Sequence, residues 1–195
     1  MTTIAWKNGV LASDSRVTVE SEAGGSRSFN CDKLFRKRVM FNGREQEVLL
    51  ATAGEAAAGE LFVEWFGSTK EASEMRDSFV LGQADFTILI VTEDGLFEAD
   101  KWCKLSPVKE DVYAIGSGSK VALGAMAAGA SAARAVEIAC KYDPYSAAPI
   151  HTMRLSRAHP KTRPAPKRTK TKLPEVRKAD DVGSAGGERK ETVGV

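Results

Sequence analysis

The opening of the chain constrains the fold most strongly, because its first fourteen residues predict a β-hairpin. A short apolar run from Thr3 to Trp6 is followed by Asn8-Gly9 and by a second apolar run, Val10 to Ala12. Asn-Gly between two apolar runs is a strong signal for a two-residue hairpin turn, because both residues tolerate positive φ. Thr2 is therefore predicted to stand at the head of a strand, where its position is fixed by the sheet.

Thr2 is the candidate nucleophile of this hairpin. Its side chain is small, so removal of Met1 is expected and would expose Thr2 as the new amino terminus. A terminal Thr carries a hydroxyl that can attack and an α-amine, with a pKa of roughly 7.7–8.0, that can take the proton. An internal Thr needs a separate base. Met-Thr-Thr alone is also an ordinary start sequence, so the prediction depends on the residues that follow.

The composition indicates one globular domain and argues against several kinds of structural and catalytic site. The chain has 195 residues, 43% of them hydrophobic and 28% charged, which suits a single domain with a sizeable core. We find no apolar run long enough for a membrane helix and no signal-peptide pattern, so a cytoplasmic protein without a membrane partner is expected. The three cysteines lack C-x-x-C spacing, which argues against structural zinc and disulfides. Both histidines lie late, at His151 and His159, which argues against a Ser-His-Asp triad and leaves a Lys or a free amine as the base.

The charge distribution divides the chain into two parts. Residues 1–153 carry 16 Lys and Arg against 21 Asp and Glu, whereas residues 154–195 carry 12 against 5. The second part also holds four of the seven prolines. We therefore predict a folded domain over 1–153 and a basic, disordered tail over 154–195. The tail is either simply solvated or makes salt-dependent, non-specific contacts with nucleic acid.

Apolar periodicity and turn signals predict an antiparallel α+β domain. Arg16 to Val19 is expected to extend the second strand, and Glu20 to Ser28 to form a loop. The further expectations are strands at 47–53, 86–92, 96–99, 102–105, 112–115 and 149–155, a helix at 55–66, a short helix at 71–79, and a long helical segment ending at Tyr142 that Gly129-Ala130-Ser131 divides in two.

Several polar residues and glycines at the ends of the predicted strands and helices are candidates for an active site. Asp14 directly follows the second apolar run, Lys33 stands just before a short strand, and Gly54 lies at a strand-to-helix turn. Each has a plain structural interpretation, as a turn-end aspartate, a solvated strand-end charge and a backbone turn. The segment Gly116-Ser117-Gly118 opens a helix but lacks the Lys-Ser/Thr ending of a phosphate-binding loop. Asp143 and Ser146 follow that helical segment in an Asp-x-x-Ser pattern that is also common in turns.

Taken together, these motifs resemble those of proteasome β-type subunits and of the bacterial HslV peptidase, both N-terminal-nucleophile hydrolases. The resemblance covers residues up to about 150 and implies a four-layer αββα sandwich, in which two packed antiparallel sheets are flanked by helices. It implies that Thr2 is the nucleophile, that Lys33 lies beside it and pairs with Asp14, and that the Gly54 N–H stabilises the oxyanion.

The resemblance assigns supporting roles to the later motifs. Ser117, between the glycines, is implied to support the terminal Thr, and Asp143 and Ser146 to orient its hydroxyl and amine. The family usually has Gly after this Ser, whereas this chain has Ala147. If that position needs positive φ, Ala would strain or shift the loop.

The sequence therefore predicts a threonine-type endopeptidase subunit that hydrolyses peptides or unfolded proteins and requires no metal or organic cofactor. The resemblance also implies a homo-oligomeric ring and allows an ATP-dependent unfoldase as partner. Two alternatives remain open at this point. One is a catalytically inactive ring subunit whose basic tail contacts nucleic acid, and the other is an amidase of the same fold that acts on a small non-peptide amide.

Overall fold

A computed structural model describes residues 2–20, 24–68 and 84–156. Within them, the strands are β1 (Thr3–Lys7), β2 (Val10–Ser13), β3 (Arg16–Glu20), β4 (Ser26–Asn30), β5 (Leu34–Phe41), β6 (Arg44–Gly54), β7 (Phe86–Thr92), β8 (Gly95–Asp100), β9 (Leu105–Val108), β10 (Val112–Gly116) and β11 (His151–Met153). The helices are α1 (Ala56–Trp65), α2 (Ser119–Ala127) and α3 (Ala132–Tyr142).

The predicted hairpin lies in the middle of a four-stranded antiparallel sheet with the order β10-β1-β2-β11. Asn8 and Gly9 have φ values of 51° and 73°, as a two-residue type I′ turn requires. β1 pairs with β2 on one side and with β10 on the other, where Thr3 lies opposite Gly116. Because β1 is an interior strand, the residue that precedes it is held from both sides.

A second antiparallel sheet has the order β5-β6-β7-β8-β9, and β3 and β4 form a separate two-stranded ribbon. The expected extension of β2 by Arg16 to Val19 is therefore wrong, because these residues pair with β4 instead. The loop expected at 20–28 is also wrong from Ser26 onward. β4 is exposed along its whole length, so backbone pairing with β3 defines it and no buried face marks it in the sequence.

The remaining predicted elements that lie in the described residues are present, with different bounds at three strands. β6 begins at Arg44 and not at residue 47, and β11 spans only His151–Met153 of the predicted 149–155. The strand expected at 102–105 begins only at Leu105, because Trp102 and Cys103 form a turn in which Cys103 has a φ of 57°. Ser131 caps α3 as predicted, since its hydroxyl accepts a hydrogen bond from the Arg134 N–H at 3.2 Å. The helix predicted at 71–79 and nearly all of the basic tail lie outside the described residues.

Three clusters of buried apolar side chains connect these elements. The first joins the five-stranded sheet to α1 and includes Phe62, Phe86 and Ile88. The second joins residues of the two sheets, among them Ile4, Leu11 and Leu49. The third joins the four-stranded sheet to α2 and α3. Among the described residues, no helix is both long enough and apolar enough to span a membrane.

Phe62 anchors the first cluster, and its neighbour in the chain provides a matched control. The Phe62 side chain is fully buried and its ring lies 5.3–6.1 Å from those of Trp65, Phe66 and Phe86. We expect Phe62→Ala to lower the free energy of unfolding by about 3–5 kcal/mol through lost burial and a residual cavity. Leu61→Ala, at a position 44% exposed, should change it by no more than about 0.5 kcal/mol. Urea unfolding of both variants measures the difference, and equal losses would contradict this packing.

Candidate active site

The carboxylate of Asp14, which follows the first hairpin, accepts hydrogen bonds from four donors, three of them backbone N–H groups and one a side chain. Its Oδ1 accepts hydrogen bonds from the Thr3 N–H at 2.9 Å and from Lys33 Nζ at 2.8 Å. Its Oδ2 accepts the Arg16 N–H at 3.0 Å and the Ala147 N–H at 3.1 Å. Asp14 is fully buried, so these donors replace the water that a carboxylate would otherwise bind.

Lys33 is the buried cation that accompanies this carboxylate. Its side chain is 3% exposed, and Nζ also donates to the backbone carbonyl of Arg16 at 2.6 Å. Burial lowers the pKa of Lys33 below the ordinary lysine value, while the charge of Asp14 and its hydrogen bond oppose the shift. The Thr3 N–H and the Lys33 ammonium donate to the same oxygen atom, which places the cation next to the first strand.

A second network holds the backbone of Thr2 and the side chain of Thr3. The Thr2 N–H donates to Ser117 Oγ at 3.3 Å, and the hydroxyls of Ser117 and Ser146 donate to Asp143 Oδ2 at 2.7 and 2.6 Å. The Ser146 hydroxyl also meets Thr3 Oγ1 at 2.7 Å. Because Ser146 gives its proton to Asp143, the Thr3 hydroxyl is the donor in that contact.

The same proton count fixes the direction of the contact between Ser117 and Thr2. Ser117 has one hydroxyl proton and two possible acceptors, Asp143 Oδ2 at 2.7 Å and the Thr2 carbonyl oxygen at 3.3 Å. It donates to Asp143, because that carboxylate is nearer and charged. Its oxygen is then free to accept from the Thr2 nitrogen. While Met1 is present, that nitrogen belongs to a peptide bond, and it occupies the place of the α-amine in a chain that begins at Thr2. An amine in this place would donate one hydrogen to Ser117 and keep its orientation.

Gly116 and Gly118 allow the loop around Ser117 to approach the first strand closely. Gly116 has a φ of +89°, and a Cβ there would overlap the backbone carbonyl of Thr2. A Cβ on Gly118 would overlap Thr3 Oγ1 and lie 3.2 Å from Asp143 Oδ2. These glycines are therefore required for space as well as for backbone conformation.

Thr2 and Lys33 line an open cleft of about 450 Å³, which Gly54 also lines. Gly54 ends β6, has a φ of +98°, and a Cβ there would overlap the carbonyl oxygen of Asp85. The backbone conformation and the close approach of Asp85 therefore require glycine at this position, whether or not its N–H takes part in catalysis. α1 begins two residues later, and its N-cap, Glu55, makes no side-chain capping hydrogen bond.

The structure brings six of the predicted residues into contact through these two networks. They are Thr2, Asp14, Lys33, Ser117, Asp143 and Ser146. Gly54 shares the cleft with two of them. Ala147, the departure noted in the sequence, is not among the described residues with positive φ, and its N–H is one of the donors to Asp14. The strain considered for Ala at this position therefore does not arise.

Comparison with solved structures identifies the fold. HslV from Trypanosoma brucei matches with a TM-score of 0.51 and 18% sequence identity, over 78% of this chain and 97% of that one. The Thiobacillus denitrificans BPH matches with a TM-score of 0.56 and 22% identity, over 80% and 99%. The same BPH in complex with epoxomicin matches with a TM-score of 0.52 and 20% identity, over 80% and 98%.

This chain has an HslV-like fold. The resemblance to HslV-like proteins that the sequence predicted is thereby confirmed at the level of the fold, as is the α+β class. No family model matches the sequence, and no curated protein sequence matches it. The identities of 18–22% establish the likeness of the backbone, so the chemistry must be argued from the residues of this chain.

Two residues of the site, Thr3 and Arg16, are not predicted by the sequence pattern. Thr3 contributes its N–H to Asp14 and its hydroxyl to Ser146, whereas the sequence pattern indicates only an apolar run at this point. Its tandem position after Thr2 was the available signal, since adjacent strand residues point to opposite faces. The Arg16 carbonyl that accepts from Lys33 carried no signal, because every residue has a carbonyl.

Two glycines test the close approach of the Ser117 loop. We expect Gly118→Ala to lower the free energy of unfolding by about 1–3 kcal/mol, because its Cβ overlaps Thr3 and crowds Asp143. Gly124→Ala is the control, since Gly124 is exposed within α2 and a Cβ there meets nothing within 4 Å. It should raise the stability by about 0.5–1 kcal/mol through helix propensity. Chemical unfolding measures both, and a Gly118→Ala protein as stable as Gly124→Ala would contradict the packing described here.

Proposed function

We propose that this chain is a threonine-type endopeptidase subunit that cleaves peptide bonds with Thr2 as nucleophile after removal of Met1. One observation carries the proposal: the head of β1 is fixed between Ser117 and the buried pair of Asp14 and Lys33, and it faces a cleft. A nucleophile must be held in attack geometry, and a strand interior to a sheet provides this.

The proposed mechanism begins at the α-amine of Thr2. The neutral amine takes the proton of the Thr2 hydroxyl, directly or through one water, and the resulting alkoxide attacks a peptide carbonyl carbon. The positive charge of Lys33 disfavours protonation of the amine before attack and stabilises the alkoxide as it forms. The carbonyl oxygen becomes an oxyanion, for which the Gly54 N–H at the start of α1 is the proposed donor.

The second half of the reaction restores the enzyme. The protonated amine gives its proton to the departing peptide nitrogen as the carbon–nitrogen bond breaks, which leaves an acyl ester on the Thr2 oxygen. Water then attacks the ester while the amine accepts a proton from it. The amine gives this proton to the Thr2 oxygen as the bond to the acyl carbon breaks, and the carboxylic acid leaves. Ser117, Asp143 and Ser146 are proposed to orient the amine and the backbone of Thr2 and Thr3, and no step requires a metal or an organic cofactor.

The wider assembly is proposed on the likeness of the fold. The three apolar clusters are those expected of a four-layer αββα sandwich, with α1 outside one sheet and α2 and α3 outside the other. We propose a homo-oligomeric ring in the cytoplasm that admits peptides or unfolded proteins, with an ATP-dependent unfoldase as a further partner. The division into a domain over 1–153 and a basic tail over 154–195 remains a prediction, as does contact of the tail with nucleic acid.

Replacement of Thr2 tests the proposed function most simply. On a panel of fluorogenic peptides, we expect Thr2→Ala to lower kcat/KM by roughly 1,000-fold or more, because it removes the attacking oxygen. Thr2→Ser keeps a hydroxyl and should retain measurable cleavage. Thr152→Ala is the matched control, since Thr152 is exposed on β11 and does not line the cleft, and it should cleave as the wild type does.

The outcomes of this experiment separate the alternatives. Equal rates for wild type and Thr2→Ala would remove Thr2 from the mechanism. Cleavage of small amides in a Thr2-dependent manner, without cleavage of peptides, would favour an amidase. Absence of any Thr2-dependent hydrolysis, together with salt-sensitive nucleic-acid binding that is lost on deletion of residues 154–195, would favour an inactive ring subunit.

A further inference from the structure

Helices α2 and α3 form a helical hairpin whose open end carries two residues of the site. Ser117 directly precedes Gly118, the N-cap of α2, and Asp143 is the C-cap of α3. The hydrogen bond from the Ser117 hydroxyl to Asp143 Oδ2, at 2.7 Å, joins the two helices at this end. The position of the hairpin on the sheet therefore sets where Ser117 and Asp143 lie relative to Thr2.

The closed end of the hairpin is held by Lys7, the last residue of β1. Its Nζ donates to the carbonyl oxygen of Met126, in the last turn of α2, at 2.7 Å and to that of Ala130, in the turn before α3, at 2.9 Å. α2 has no basic residue in its own last turn, so the ammonium of Lys7 complements the negative end of this helix. None of the ion pairs within the described part of the chain involves Lys7. Its ammonium is therefore committed to the backbone of the hairpin.

β1 contacts the hairpin along its whole length. Thr3, Ala5 and Lys7 are alternate residues of β1, so their side chains point to the same side of the sheet. Ala5 is fully buried in the cluster that includes Met126 of α2. At the head of the strand, a Cβ on Gly118 would overlap Thr3 Oγ1. The strand thus meets the hairpin at its start, in its middle and at its end.

The lengths of the strand and of the helix match. The rise from Thr3 to Lys7 is about 13 Å in a strand, and the rise from Gly118 to Met126 is about 12 Å in a helix. α2 therefore runs beside β1 in the same direction, with Ser117 near one end and Lys7 at the other. A shift of the hairpin along β1 would break the hydrogen bonds of Lys7 and displace Ser117 from Thr2 by the same distance.

We propose that Lys7 is a positioning residue for the reaction, which acts through the hairpin of α2 and α3 to hold Ser117 and Asp143 beside Thr2. The inference rests on the proposed function and deepens it. Among the described residues that line the cleft, none is Lys7 or belongs to α2 or α3. Loss of Lys7 should therefore slow the turnover of bound peptide and leave its binding unchanged. A misplacement of about 1 Å caused far from the chemistry can lower a rate about 100-fold.

Steady-state kinetics of Lys7 variants on a fluorogenic peptide test the proposal. Lys7→Met keeps the length and the apolar stem of the side chain and removes its three donors, so kcat should fall by about 10- to 100-fold while KM stays within about twofold. Lys7→Arg keeps the charge and the donors and should retain most of the rate. Lys7→Gln keeps a neutral donor and should lose an intermediate amount, which also provides the comparison if Lys7→Met does not fold. Lys109→Met is the matched control, because Lys109 is exposed between β9 and β10, and it should behave as the wild type does.

A double-mutant cycle with Ser117→Ala separates positioning from a general loss of stability. If Lys7 acts through the hairpin, the losses in kcat of Lys7→Met and Ser117→Ala should combine to less than their product, because both changes remove the same support of Thr2. Independent losses would multiply. Urea unfolding of each variant shows which of them are folded at the assay temperature.

The outcomes distinguish this inference from the proposed function. Thr2-dependent cleavage with an unchanged kcat in folded Lys7→Met, a rise in KM alone, or losses that multiply in the double variant would overturn the positioning role and leave the proposed function standing. Absence of Thr2-dependent cleavage by the wild type would overturn both.

Discussion

The ion pair between Asp14 and Lys33 is the interaction on which the rest of the site depends. Two opposite charges with exposures of 0% and 3% are costly to bury unless each is paired and hydrogen-bonded. Asp14 meets this requirement by drawing together the first strand, the start of β3 and the loop after α3, through Thr3, Arg16 and Ala147. Segments more than a hundred residues apart are thus joined at one carboxylate, directly beside Thr2.

The fold follows from features that a sequence displays well. Asn8-Gly9 and Asp94-Gly95 mark two hairpins, and both lie between runs that bury apolar side chains in a sheet. The ribbon of β3 and β4 could not be predicted in this way, because β4 buries no face and its pairing depends on backbone hydrogen bonds that any residues can make. The late start of β9 also could not be predicted, because Cys103 adopts a positive φ and a cysteine does not indicate this conformation as a Gly or Asn would.

The candidate site, like the fold, could be predicted from the sequence only in part. The positions of Asp14, Lys33 and Ser117 could be predicted because each follows or precedes a strand that the sequence marks. What the sequence does not carry is the path of the protons between them. Ser117 donates to Asp143 and therefore accepts from Thr2. Ser146 also donates to Asp143 and therefore accepts from Thr3. These directions follow from distances between residues that are far apart in the sequence. The close approach that makes these distances possible depends on Gly116 and Gly118.

The central claim is that a chain that begins at Thr2 forms a covalent acyl ester on that residue. It is tested most directly by the intact mass of the purified protein, followed by reaction with a peptide ester, an acid quench and fragment mass spectrometry. The account predicts a chain without Met1 and an acyl group that maps to Thr2. A chain that retains Met1, or an acyl group attached to any other residue, would contradict it.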